Sequence, residues 1–175
     1  GKFKTSQSNG NCTECIPGQY RPGDLANALH CVDCPTGFAQ KTKGQGSCTL
    51  CSVGKYANTA KQITCTSCLE GEYRKVTPTE KAIACTACPT GFAQALQEQG
   101  SCTECSVGKY ANGQKQVKCD ACDPNFFAEN VKSSTCLACP DGFVTNTTGA
   151  SSCQSCEAGK YWSGVGSCQS CPRGW

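Results

Sequence analysis

The fold of this chain is decided by residues 31–68, CVDCPTGFAQKTKGQGSCTLCSVGKYANTAKQITCTSC. The same pattern returns over residues 85–122 as CTACPTGFAQALQEQGSCTECSVGKYANGQKQVKCDAC, and a looser copy covers residues 136–171. A sequence that repeats at a fixed spacing predicts one small structural unit stacked on itself. The properties of that unit therefore have to explain most of the molecule.

Ten CxxC pairs follow a polar N-terminal lead, residues 1–11. Six of the nine steps between successive pairs are 17 residues long, and three steps together make a longer period. We predict three triplet repeats, at 12–64, 65–118 and 119–167, and the start of a fourth repeat at 168–175.

Composition limits the fold class. The 175 residues include 20 cysteines and 19 glycines, which is the cysteine level of a disulfide scaffold. Large aliphatic residues are scattered, so cross-links have to replace an ordinary hydrophobic core. We predict a small disulfide-rich repeat protein, an elongated solenoid or rod of short β-hairpins and loops with little or no helix.

Charge and cysteine usage also indicate a location. An even number of cysteines is typical of an extracellular or cell-surface protein. The net charge of +3 comes from 16 basic and 13 acidic residues without long runs of either sign, so no nucleic-acid partner is expected. No apolar stretch is long enough to cross a membrane. Gly1 opens no signal peptide and the final CPRGW is no anchor signal, so we expect a mature product or an excised piece.

The CxxC pairs allow three kinds of chemistry. Neighbouring pairs resemble zinc-ribbon ligands, but ten pairs would need five zinc ions, and a metal does not require the glycine and aromatic residue that follow each pair. Redox catalysis uses one reactive CxxC on a βαβ frame. Structural disulfides fit best, and we expect no metal and no cofactor.

The repeat limits how the cysteines pair, although spacing alone does not fix it. Bonding neighbouring pairs two by two would satisfy all twenty cysteines but would treat near-identical copies differently. Bonding each second cysteine to the first cysteine of the next pair gives every unit the same role, and we predict this chained pattern. It leaves Cys12 and Cys171 as candidates for inter-repeat or inter-chain disulfides. The predicted bonds are Cys15–Cys31, Cys34–Cys48, Cys51–Cys65, Cys68–Cys85, Cys88–Cys102, Cys105–Cys119, Cys122–Cys136, Cys139–Cys153 and Cys156–Cys168.

A short phrase follows each pair. The third residue after the second cysteine is glycine in every unit except one, where it is Asn125. Glycine and asparagine are the residues that best accept positive φ, so a sharp turn is predicted there. An aromatic residue comes next, and we expect its ring to cover the neighbouring disulfide as a miniature core; the alternative is a row of rings that stack on a sugar or a base.

Other functional motifs are few. His30 is the only histidine, and the sequence contains no nucleophile turn, phosphate loop or calcium loop, so we predict that the protein is not an enzyme. Two triplets are candidate N-glycosylation sites, Asn146-Thr147-Thr148 in a polar turn and Asn11-Cys12-Thr13.

Strings such as CPTGFAQ, CSVGKYAN and CTSCLEGEYR, repeated from residue 12 to residue 175, resemble the surface immobilisation antigens of ciliates. That resemblance implies a cysteine-rich extracellular coat protein that antibodies recognise, commonly held at the membrane by a lipid anchor; here the anchor would belong to a segment absent from the sequence. The CxxGxY phrase is also similar to the cysteine-rich modules of tumour-necrosis-factor receptors and growth-factor receptors, which implies a specific protein ligand.

Two functions follow from these observations. The first is a non-enzymatic extracellular structural protein, a surface coat or fibre component that gives protection and antigenic display and that self-associates, head to tail, or is anchored at a membrane. The second is a ligand-binding, cysteine-rich receptor ectodomain. A receptor predicts one repeat that differs sharply from the others, and residues 119–167 do differ most, but divergence near an end is also ordinary in repeat arrays.

Overall fold

Short antiparallel strands are the only regular secondary structure in the part of the chain that the structure describes. The structure is a computed structural model, and it describes residues 2–3, 13–22, 30–77, 81–163 and 167–172. Strands contain two or three residues, because polar turns and glycines interrupt every longer run. Apart from β1 (Lys2–Phe3), a strand either spans the interior of a CxxC pair or directly follows the predicted turn residue.

Contacts divide the chain into two compact units, Gly1–Thr86 with Gln97–Ser101, and Ala87–Leu96 with Cys102–Trp175. After β1, the first unit contains β2 (Thr13–Glu14), β3 (Gln19–Tyr20), β4 (Val32–Asp33), β5 (Phe38–Ala39), β6 (Thr49–Leu50), β7 (Lys55–Tyr56), β8 (Thr66–Ser67) and β9 (Glu72–Tyr73). The chain passes into the second unit within β10 (Thr86–Ala87). The second unit contains β11 (Phe92–Ala93), β12 (Thr103–Glu104), β13 (Lys109–Tyr110), β14 (Asp120–Ala121), β15 (Phe126–Phe127), β16 (Leu137–Ala138), β17 (Phe143–Val144), β18 (Gln154–Ser155), β19 (Lys160–Trp162) and β20 (Cys168–Ser170).

Apart from the β1–β2 pair, each two-stranded sheet joins one CxxC unit to the next CxxC unit. In the second unit, β13 pairs with β14, so that Lys109 lies opposite Ala121 and Tyr110 lies opposite Asp120. The strand after one CxxC pair therefore pairs with the strand inside the following CxxC pair. The same register connects β3 with β4, β5 with β6 and β7 with β8 in the first unit.

The predicted turns are confirmed at every such position that the structure describes. The glycine after each pair has positive φ, from 69° at Gly54 to 87° at Gly37, and Asn125 has a φ of 65°. The turn brings the chain back, so that the second cysteine of the next pair donates its N–H to the carbonyl of the turn residue. Cys51, for example, donates to Gly37 over 2.9 Å. The turn residue therefore takes part both in a local turn and in a hydrogen bond to the next CxxC unit.

The predicted fold class is confirmed as a small disulfide-rich repeat protein built from short β-hairpins. Within the described residues the chain forms no helix, and none is therefore long and apolar enough to cross a membrane. The predicted rod shape and the triplet boundaries stay predictions.

Candidate functional site

A chain of disulfides forms the centre of the repeat. Nine disulfides join the second cysteine of one pair to the first cysteine of the next, and their Cα atoms lie 5.5 to 5.8 Å apart, as a disulfide requires. The pairs are Cys15–Cys31, Cys34–Cys48, Cys51–Cys65, Cys68–Cys85, Cys88–Cys102, Cys105–Cys119, Cys122–Cys136, Cys139–Cys153 and Cys156–Cys168.

The two cysteines at the ends of the chained pattern have different positions. Cys171 is exposed and forms no disulfide with any cysteine that the structure describes. Cys12 lies outside the described residues, as does Asn11, the first residue of the weaker glycosylation triplet. An inter-chain role for Cys12 and Cys171 therefore stays a prediction.

The fully buried interior consists of sulfur and small side chains, and the covering of each disulfide by the neighbouring ring stays a prediction. The second cysteines from Cys15 to Cys122 are buried, and the alanine that follows several of the rings is buried as well, as Ala57 and Ala111 show with no exposed surface. Most rings of the repeat, such as Tyr56 and Phe92, are half-buried, whereas Phe126 and Phe143 keep 42% and 41% of their surface exposed.

Turn glycines are also required by a close approach between distant repeats. A Cβ atom at Gly91 would lie 2.7 Å from the carbonyl carbon of Lys132, which is closer than real side chains come to a backbone. Gly18 faces Lys61 and Gly54 faces Glu98 in the same way. At Gly142, by contrast, no described atom lies within 4 Å of such a Cβ. The sequence predicted the turns but not this contact, because the residues in contact are about 40 positions apart.

The residues that face these glycines form a second repeated feature. Lys61, Glu98 and Lys132 have positive φ although they are not glycines. Each donates its N–H to the carbonyl of the second cysteine of the preceding CxxC pair. In that conformation their side chains reach back to the residue that precedes the same cysteine. Lys61 pairs with Asp33 at 3.8 Å and Lys132 pairs with Glu104 at 2.9 Å.

Glu98 is the positive-φ residue of this kind in the first unit, and its side chain forms contacts that depend on the protonation of its carboxyl group. Its carboxylate accepts a 2.6 Å hydrogen bond from the Ser67 hydroxyl and lies 3.1 Å from the Lys55 ammonium. These two donors hold the pKa of Glu98 below its ordinary value. The carboxylate is exposed to solvent, so the contact fixes register more than it adds stability.

Asn146 lies two residues after the end of β17, immediately before a bend, and it is exposed together with Thr147 and Thr148. The Thr145 hydroxyl donates to the Thr147 carbonyl over 2.9 Å and holds the bend. The exposed side chain of Asn146 is accessible to a modifying enzyme. Its glycosylation stays a prediction.

One concave surface in the second unit combines aromatic and polar side chains. This Tyr110–Phe126 pocket has a volume of about 310 Å³. Its lining residues lie in or beside β13, β14 and β15 and before β16, and they are Tyr110, Asn112, Asp123, Phe126, Ser134, Thr135 and Cys136.

Sequence reasoning identified Asp123 and Phe126 only as part of a divergent stretch. It missed Asn112, Ser134 and Thr135, because the repeat gives no signal at these positions. The signal that could have identified the site is that Phe126 directly precedes Phe127, which already occupies the aromatic position of the repeat.

The residues that the structure describes contain no cluster of three or more histidine, cysteine or acidic side chains that could hold a metal ion. His30 is exposed next to Cys31, one of the disulfide cysteines.

The repeated disulfides, hairpins and buried alanines define a cysteine-rich repeat module. A family model described as tyrosine-protein kinase ephrin type A/B receptor-like matches residues 39–82 and 108–156, just over half of the chain. The chain therefore belongs to the ephrin-receptor-like family. None of the curated proteins matches the chain.

Family and disulfides together indicate an extracellular or secreted cysteine-rich module. The resemblance to the immobilisation antigens of ciliates stays a prediction.

Proposed function

We propose that the chain is a non-enzymatic extracellular structural protein, a surface coat or fibre component that gives protection and antigenic display. The observation that supports this function is that the repeated residues serve to hold neighbouring repeats. The turn glycine, the second cysteine, the buried alanine and the positive-φ residue all bond or pack across repeat boundaries.

The physical consequence is a chain that is stable without a large apolar core. In the loop-entropy model, closing a loop of about 15 residues stabilises the fold by roughly 3 kcal/mol, and the closures occur along the whole described chain. Some loop residues between the strands take no part in the contacts between units. Residues 41–43 and 129–131, for example, are exposed, so their side chains can vary and can be displayed to antibodies.

Assembly of the coat requires contacts beyond one chain. We propose either head-to-tail self-association or a lipid anchor carried by a further segment. A head-to-tail contact joins two different surfaces of the chain, so the assembly need not close into a ring and can extend the repeat into a filament.

Electron microscopy of native material, combined with antibody labelling of intact cells, tests this function. A coat or fibre component should label cells without permeabilisation and should form a continuous layer or filaments. The same material should resist protease until a reductant is added, and the two digests with and without reductant are matched controls. Isolated monomers that antibodies reach only after permeabilisation would contradict the proposal.

The second candidate function is a ligand-binding receptor ectodomain. Two observations favour it: the chain belongs to a family described by ephrin receptors, and the Tyr110–Phe126 pocket lies in the stretch that departs most from the repeat. Fluorescently labelled chain added to intact cells should then bind saturably, and unlabelled chain should displace it. Binding that rises linearly with concentration, without displacement, would remove this candidate.

A further inference from the structure

We propose that the Tyr110–Phe126 pocket binds a neutral sugar ring. The inference rests on the second candidate function, since it names the ligand class of a receptor-like surface.

The aromatic part of the pocket is not needed by the repeat. Other units carry a ring either four or five residues after the second cysteine, as Phe92 and Tyr110 do, but the unit that begins at Cys119 carries one at both offsets. Phe126 is therefore a second ring within its unit, and it keeps 42% of its surface exposed. Tyr110 contributes the second ring of the lining. An exposed ring is a flat apolar surface, and the C–H groups on one face of a sugar can pack on it.

The polar part of the pocket offers both donors and acceptors. The side-chain oxygen of Asn112, Oδ1, accepts a 2.8 Å hydrogen bond from the side-chain nitrogen of Gln116, Nε2. The side-chain NH₂ group of Asn112 is then available as a donor. The Asp123 carboxylate is an acceptor and pairs with no side chain in the described part of the chain. The Ser134 hydroxyl can act in both directions. Neighbouring sugar hydroxyls each donate and accept, so they match this mixture.

The charge of the lining distinguishes a sugar from a cation. Asp123 and the two rings alone could hold an ammonium or guanidinium group by ion pairing and cation–π attraction. The donors of Asn112 would then face a positive charge and remain unused. A neutral sugar uses these donors and the carboxylate together, and the volume of about 310 Å³ is at the lower end of small-molecule sites, which suits one ring.

The pocket also distinguishes one place in an otherwise repetitive chain. In the preceding copy of the repeat, Leu69, Glu72, Ile83 and Ala84 occupy the positions of Asp123, Phe126, Ser134 and Thr135. That copy therefore has a carboxylate in place of the Phe126 ring, an apolar side chain in place of Asp123, and no hydroxyl at the two later positions. A purely structural repeat needs no such difference, whereas a single recognition site does.

Titration of the intact, disulfide-bonded chain by two-dimensional NMR tests the inference. The probes are the methyl glycosides of mannose, galactose and glucose, with tetramethylammonium as the cation probe. At least one glycoside should shift the amide signals of Tyr110, Asn112 and Phe126 saturably. The dissociation constant should be on the order of millimolar, because one sugar ring has few atoms.

Two exposed phenylalanines provide matched variants. Phe126→Ala should weaken glycoside binding about 10-fold, whereas Phe143→Ala, which removes an equally exposed ring outside the pocket, should leave binding unchanged. Asp123→Leu keeps both rings and should also weaken binding, so the test survives if Phe126→Ala does not fold. Absence of saturation with all three glycosides, equal effects of the two phenylalanine variants, or tighter binding of tetramethylammonium would each overturn the inference. Cell binding of labelled chain would still test the receptor candidate separately.

Discussion

Replacing Gly91 with alanine should destabilise the second unit much more than replacing Gly142 with alanine. Both glycines follow a CxxC pair at the same offset, and their φ angles are nearly equal, at 79° and 85°. They differ in what surrounds them. A Cβ at position 91 would overlap the backbone of Lys132, whereas a Cβ at position 142 would meet no described atom within 4 Å.

The expected free-energy changes follow from this difference. An alanine in left-handed backbone conformation costs roughly 1–2 kcal/mol, and this part is common to both variants. Forcing an atom into a filled site costs about 1–3 kcal/mol more, and only Gly91→Ala has this second part. Gly91→Asn separates the two causes, since asparagine accepts positive φ, as Asn125 does in the native chain.

Hydrogen exchange followed by NMR measures these changes near each site. The Cys105 amide donates to the Gly91 carbonyl at 2.9 Å, and the Cys156 amide donates to the Gly142 carbonyl at 3.3 Å. Exchange of Cys105 in Gly91→Ala should accelerate about 5- to 150-fold more than exchange of Cys156 in Gly142→Ala. Equal acceleration at the two sites, or an undisturbed Gly91→Asn variant, would show that the close approach to Lys132 has no energetic role.

Three further predictions concern other features of the repeat. Ala111→Val should lower the free energy of unfolding in urea by about 1–3 kcal/mol, because Ala111 is fully buried, whereas Ala138→Val at an exposed site should change it by less than about 0.5 kcal/mol. Because the folded pKa of Glu98 is lowered, its contribution should be complete above the ordinary glutamate pKa of about 4.3 and should be lost as pH falls through the lowered value. NMR titration should show that Ser67→Ala raises the pKa of Glu98 towards that ordinary value, and an unchanged pKa would contradict the hydrogen bond as its cause. Chain produced in a glycosylating host should lose mass on glycosidase treatment, and Thr148→Ala should abolish the part of that loss that comes from Asn146; an unchanged loss would exclude this acceptor.

The sequence predicts the parts of this fold that lie within one repeat. Cysteine spacing indicates small disulfide-bonded units, and the glycine or asparagine after each pair predicts a positive-φ turn, because few residues accept that conformation. Both features depend on a few neighbouring residues.

Features that depend on register between repeats could not be predicted in the same way. Lys61, Glu98 and Lys132 have positive φ without being glycine, and each donates its N–H to a cysteine carbonyl in the preceding CxxC unit, a contact that the sequence of one unit does not reveal. Ala57 packs in a cluster with Cys51 and with Ala82 of a later unit, so its burial depends on a contact that no single unit contains. The pocket combines residues from two repeats, so no single repeat contains its pattern.

Peptide mapping of the native protein under non-reducing conditions tests the central claim most directly. The account predicts cross-linked peptides that join each second cysteine to the next first cysteine, such as Cys105 with Cys119 and Cys122 with Cys136. Recovery of Cys102 joined to Cys119, or of free thiols at these positions, would contradict a fold held together by a chain of disulfides.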